Sequence, residues 1–280
     1  MKWFRDIGPG VLIAAAFIGP GTVTLCTIAG ASFGYSLIWA IILSTFSTIV
    51  LQEMSLRIGL VTRMNLAEVI RTSIKSVLLN RFIILLIISS ILIGNAAYEA
   101  GNITGASLGI SAIINNQSFN YFPILIGFIA FIILYQGDYK ILERSLISLV
   151  LLMSISFFIT AIMTKPDITN LLNGIFKPKV NSDNLLIILG LIGTTVVPYN
   201  IFLHSSLVSE KWNSIHKLRV ARLESFISIL LGGLISLSII ITAASVTNQN
   251  ITGVIDLAKG LEPLYGKFAI YFLGIGLFAS

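Results

Sequence analysis

Charge is scarce in this chain: 11% of its 280 residues are Asp, Glu, Lys or Arg, while 56% are hydrophobic and the mean hydropathy is +0.95. No water-soluble core of this size needs so apolar a composition. Cysteine is scarcer still. With Cys26 alone, a disulfide within the chain is excluded and a thiolate metal cluster has no second ligand. The sequence also lacks H-E-x-x-H, G-x-S-x-G and any Gly-rich nucleotide loop, so it offers no enzyme signature, no catalytic residue and no cofactor motif.

What the chain has is length of apolar run. A helix crossing a bilayer needs about 20 mostly apolar residues. Such segments recur at 8–30, 37–58, 82–112, 121–136, 145–164, 185–208, 223–247 and 264–280, giving an expectation of seven complete spans and one cut short. The last run ends without flanking charge, so the natural protein is expected to continue beyond Ser280. No A-x-A-like cleavage site follows the opening residues, and the first helix is expected to stay. The 280 residues are taken as a single all-α membrane domain. The connection 59–81 carries Leu66, Val69 and Ile70 among Arg63, Glu68, Arg71 and Lys75, a pattern that predicts a short helix lying on the membrane surface.

The net charge of +6 follows topology rather than forming a nucleic-acid-binding patch. Lys2 and Arg5 precede the first span; Arg57, Arg63, Arg71, Lys75 and Arg81 surround the second loop; Lys140 and Arg144 lie in the fourth; Lys211, Lys217, Arg219 and Arg222 in the sixth. Only Lys165, Lys177, Lys179, Lys259 and Lys267 fall on the other side, where the neutral loop 115–118 also lies. The positive-inside rule therefore puts the N-terminus in the cytoplasm of a multi-pass protein of the inner membrane.

Two spans are interrupted near their centres. The first contains Gly19-Pro20-Gly21-Thr22, and the sixth contains Gly193-Thr194-Thr195-Val196-Val197-Pro198-Tyr199-Asn200. Proline deletes a backbone hydrogen bond and glycine loosens its neighbours, so broken backbone at membrane depth persists only where protein or a wet cavity covers it. Five spans separate Pro20 and Gly21 from Pro198. That odd offset inverts the second copy relative to the first, as in transporters whose unwound helices meet around a midplane site. The repeats would run over about 8–164 and, incompletely, 185–280.

Glu99 is the one charged side chain deep inside a complete span, and intramembrane carboxylates mark ion pathways. Gly101, Gly105 and Gly109 follow it at the four-residue step of closely packed helices. His204 supplies an imidazole that titrates near neutral pH and is a candidate partner for Glu99 in moving protons. Cys26 is expected to be an inert buried thiol and His216 a solvated loop histidine.

The sequence resembles the NRAMP metal-ion transporters over nearly its whole length. The landmarks are Gly8-Pro9-Gly10, the interrupted first helix with Ala29-Gly30-Ala31-Ser32-Phe33-Gly34-Tyr35-Ser36 after it, Leu51-Gln52, the Glu99 region, and Pro198 with Asn200-Ile201-Phe202-Leu203-His204-Ser205. The resemblance implies a LeuT-type inverted-repeat fold of eleven or twelve spans, with discontinuous first and sixth helices. It also implies a substrate site at Gly19, Thr22, Thr194, Val197 and Asn200, and a proton path through Glu99, His204 and Tyr199. At the first break the family carries Asp-Pro-Gly-Asn, with aspartate and asparagine on the metal; here those positions are Gly19 and Thr22. The family's methionine is Val197 and its first histidine Tyr199, so the metal ligands of this chain are left unassigned.

A dehydrated divalent ion at membrane depth needs formal negative charge nearby; Gly19 supplies none, so a transition metal fits this site poorly unless the charge arrives from elsewhere, and Glu99 is the residue that could bring it. The expectation is therefore secondary transport of a cation, most simply a divalent metal ion, by alternating access and with protons as a candidate coupling ion. The alternatives are a monovalent ion or small polar solute carried on the same fold, and a non-transporting membrane sensor. The partners expected are the lipid bilayer and the cargo, not nucleic acid.

Overall fold

The structure is a computed structural model that describes residues 9–114, 121–136, 139–212, 214–246, 256–257, 266 and 268–279. Lys2, Arg5, the neutral loop 115–118, Lys259 and Lys267 lie outside the described residues. Every described element is helical. In chain order they are α1 (Pro9–Phe17), α2 (Pro20–Phe33), α3 (Ile38–Thr62), α4 (Leu66–Ser73), α5 (Val77–Ile114) and α6 (Phe122–Gln136). They continue as α7 (Tyr139–Met163), α8 (Ile168–Phe176), α9 (Ser182–Thr195), α10 (Pro198–Lys211), α11 (Leu218–Ala244) and α12 (Phe268–Ala279).

Pro9, Pro20 and Pro198 each open a helix, where the missing amide costs no intrahelical bond. The stretches Pro20–Thr62, Val77–Ser111, Ser182–Lys211 and Ile215–Ala244 are long and apolar enough to cross a membrane. Each of the eight apolar segments read from the sequence is mainly helical where it is described, and the first and sixth are interrupted at 18–19 and 196–197. The structure differs at the edges. The sixth span continues to Lys211 and the seventh begins at Leu218, because helical hydrogen bonding carries on past the last apolar residue into charged sequence.

The surface helix expected in 59–81 is α4, capped by Asn65, whose side chain accepts from the Glu68 amide at 2.9 Å. A second short helix, α8, occupies the connection 165–184, where none was expected. Asp167 caps it by accepting from the amides of Thr169 and Asn170, and it bends 116° away from the end of α7. Its exposed Ile168, Leu172 and Phe176 repeat at helical spacing, the signature of an interfacial helix.

The core wraps the broken first span. Phe17, Ile18, Val23 and Cys26 are buried with Leu37 and Ile41 of the second span, Met153 and Phe157 of α7, Leu191 of α9 and Ile229 and Ile239 of α11. Glycines set the closest approaches. A Cβ on Gly30 would lie 2.7 Å from the Ala243 Cβ, and one on Gly233 would lie 2.5 Å from the Thr45 hydroxyl. Gly105 and Gly109 of the four-residue repeat do the same against the Pro20 ring and α12, whereas Gly101 faces open space. Cys26 is a free, buried thiol and His216 is exposed.

Candidate functional site

Both interruptions are real breaks in the helices. α1 ends at Phe17 and α2 begins at Pro20, with Gly19 in extended backbone (φ −105°, ψ 177°) as its N-cap. Gly19 has no side chain to cap the amides of α2. The carbonyl freed at Phe17 is satisfied locally, because the Thr22 hydroxyl donates to it at 2.7 Å. In the sixth span α9 stops at Thr195, Val197 is extended, and α10 starts at Pro198. Here the freed carbonyls recruit neighbours: Thr48 of α3 donates to the Thr195 carbonyl at 3.3 Å, and the Tyr98 hydroxyl donates to that of Gly193 at 3.4 Å.

Tyr199 ties the breaks together. Its hydroxyl donates to the Ala16 carbonyl in the last turn of α1 at 3.2 Å, and its ring meets Tyr98 edge-on at 5.4 Å between centroids. Beside this link lies a hollow of about 830 Å³, bounded by Ala16 and Gly19 at the first break, Tyr199 at the second, and Asn95, Glu99 and Asn102 of α5. Apolar residues of α6, such as Ile133 and Leu134, form its far wall.

The site residues read from the sequence divide between two faces. Gly19, Tyr199 and Glu99 come together in the hollow. Thr22 is buried with its hydroxyl turned onto Phe17, and Thr194 donates to the Leu191 carbonyl at 3.3 Å. Val197 is buried in the core. On α10, Tyr199, Phe202, Leu203 and Ser206 face the hollow, while His204 is fully buried against α3, its Nδ1 2.9 Å from Gln52 Oε1. The body of α10 therefore stands between His204 and Glu99. Asn200 is buried too, and neither its amide atoms nor His204 Nε2 has a partner among the described residues. Ser55 of α3 donates to the Ile201 carbonyl, and the Leu66 amide donates to Ser205 Oγ at 2.8 Å, so this face is a polar seam holding α10 in place. Of the helix-breaking residues, Pro20 is buried against α5, whereas Gly21 and Pro198 are exposed.

Asn95 and Asn102 were not singled out as site residues from the sequence. The signal was there, since both share a helical face with Glu99 in an otherwise apolar span. Among the described residues no group of three or more His, Cys, Asp or Glu side chains is placed to hold a metal.

Comparison with known proteins is consistent with this architecture. The family profile described as "Natural resistance-associated macrophage protein-like" matches residues 10–280. This chain belongs to the NRAMP family. It is 28% identical to the divalent metal cation transporter MntH of Caldanaerobacter subterraneus, over all of this chain and 68% of that protein. It is 30% identical to the metal transporter nramp1 homolog of Dictyostelium discoideum, over 98% of this chain and 52% of that one. The fold matches the crystal structure of the Eremococcus coleocola manganese transporter with a TM-score of 0.79 at 20% identity, covering 97% of this chain and 60% of the other. The chain is thus an all-α, multi-pass NRAMP protein of LeuT-type fold, spanning about half to two thirds of the length of these relatives.

Proposed function

We propose that this NRAMP protein is a secondary transporter that carries a divalent metal cation across the cytoplasmic membrane by alternating access. One observation carries the reading: both helix breaks border a single hollow, and Glu99 brings a carboxylate into it. Glu99 is exposed to the hollow within an apolar span, and a carboxylate at membrane depth is costly unless it meets water, a cation or a proton, which favours a cation over a neutral solute as cargo. The names of the MntH and nramp1 relatives agree with that choice. Inverted repeats over about 8–164 and 185–280 would let the two broken helices rock around the hollow, with the N-terminus in the cytoplasm. Glu99 is the group best placed to exchange a proton with the cargo, with Tyr199 beside it. His204 would reach that path only across α10.

The test is uptake of Mn²⁺ and Mg²⁺ into proteoliposomes under an inward proton gradient. Saturable cation uptake that falls at least about tenfold in Glu99→Gln is expected. Uptake of an organic solute with no cation flux would replace the reading with the solute alternative. A folded protein with no flux of either kind would point to a sensor.

A further inference from the structure

A second hollow, of about 380 Å³, lies between α4 and the first turns of α5. Its α4 side presents Glu68 and Arg71, and its α5 side presents Ile84, Ile87 and Ile88. Hydrogen bonds fix the angle between these walls. Asn80 Nδ2 donates to the carbonyls of Arg71 and Ile74 at 2.8 and 3.3 Å, closing the C-terminal end of α4 onto α5, while Ser205 holds the Leu66 amide at the other end. The three isoleucines share one side of α5 by helical spacing, within a stretch long and apolar enough to cross a membrane. The hollow thus has a charged rim and an apolar wall that runs into the bilayer. Glu68 and Arg71 are both exposed, as a site at headgroup level requires, and they stand a step of about 4.5 Å apart along the helix axis. Side chains at that spacing can pair. Here neither the carboxylate nor the guanidinium has a hydrogen-bond or ion-pair partner among the described residues.

We infer that this hollow binds one phospholipid with an ethanolamine headgroup: Arg71 holds the phosphate, Glu68 accepts from the ammonium, and an acyl chain lies along Ile84, Ile87 and Ile88. The planar guanidinium fork matches two phosphate oxygens. Ethanolamine carries its ammonium two carbons from the phosphate, a span comparable to the step between the two side chains. The rim sums to zero charge, which suits a zwitterion. A choline headgroup, fully methylated, has no N–H to give Glu68, and an anionic glycerol headgroup leaves that carboxylate facing like charge. Lys75 and Arg81 flank the same connection and attract any anionic surface, but they do not line the hollow. The apolar wall requires chains as well as a headgroup, so a lipid fits where a free phosphate ester fills only the rim. The inference stands apart from the identity of the cargo. Asn65 and Ala67 border both this hollow and the chamber at the helix breaks, so the lipid touches the turn of chain that also bounds that chamber.

Binding is read by native mass spectrometry of the purified full chain in detergent, titrated with phosphatidylethanolamine, phosphatidylglycerol and phosphatidylcholine of matched acyl chains. The wild type is expected to retain one phosphatidylethanolamine about fivefold more tightly than either of the others, the worth of one charge at a membrane surface. Arg71→Gln should weaken all three lipids. Glu68→Gln should erase the preference for phosphatidylethanolamine while leaving phosphatidylcholine unchanged, and Lys75→Gln should change nothing. All three side chains are exposed, so these variants keep the fold. Glycerophosphoethanolamine, the same headgroup without acyl chains, should bind at least about tenfold more weakly than the lipid. A wild-type preference for phosphatidylglycerol, equal retention of phosphatidylethanolamine and phosphatidylcholine, or no bound lipid would overturn the inference. So would a loss in Lys75→Gln as large as that in Arg71→Gln, which reports general attraction to basic sequence, or equal binding of the chain-free headgroup.

Discussion

Gly59 and Gln52 decide how closely α3 and α10 can lie. A Cβ on Gly59 would run into the backbone of Ser205, so Gly59→Ala should cost about 1–3 kcal/mol through overpacking, lowering the melting temperature in detergent. Gly101 provides the control, because nothing lies near its Cβ position and Gly101→Ala should melt at or slightly above the wild-type temperature. Gln52→Leu strands His204 Nδ1 in a fully buried setting and should cost about 1–3 kcal/mol in the same assay. Both costs are set by contacts between residues some 150 positions apart. The residue types were visible in the sequence, but their pairing was not.

At the scale of elements, the capping of α8 is a purely local device. Asp167→Ala removes the acceptor for the Thr169 and Asn170 amides and should destabilise that helix by about 1 kcal/mol. Faster hydrogen exchange confined to 168–176, with α9 unchanged, is the expected result. The helix breaks were legible in the sequence because Gly-Pro-Gly and Val-Pro act through covalent geometry alone. α8 was not, because its Ile168, Leu172 and Phe176 stand among neutral residues, without the flanking charges that marked α4 as amphipathic. The two faces of α10 were half legible: residues 199, 202, 203 and 206 share a side by helical spacing, but only packing tells which side meets the hollow. That is why Glu99 and His204, both plausible proton carriers in sequence, lie on opposite sides of a helix.

For the whole molecule, orientation is the testable quantity. In a Cys26→Ser background, Lys75→Cys should react with a membrane-impermeant maleimide only from the cytoplasmic side, and Lys179→Cys only from outside. Labelling of both from one side would overturn the topology. The fold class followed from composition and run length, which act over the entire chain, and the family match to residues 10–280 agrees. The core reached further than the pattern of spans implied, drawing buried side chains from α2, α3, α7, α9 and α11 around the first break.

The division of α10 into a wall and a seam has a consequence for how such proteins diversify. Replacing Leu203 or Ser206 alters what the chamber meets, while Gln52 with His204 and Ser55 with Ile201 continue to grip the opposite side. The lining of the hollow can therefore drift one substitution at a time without loosening the scaffold, as a lock can be re-pinned while its housing stays bolted to the door.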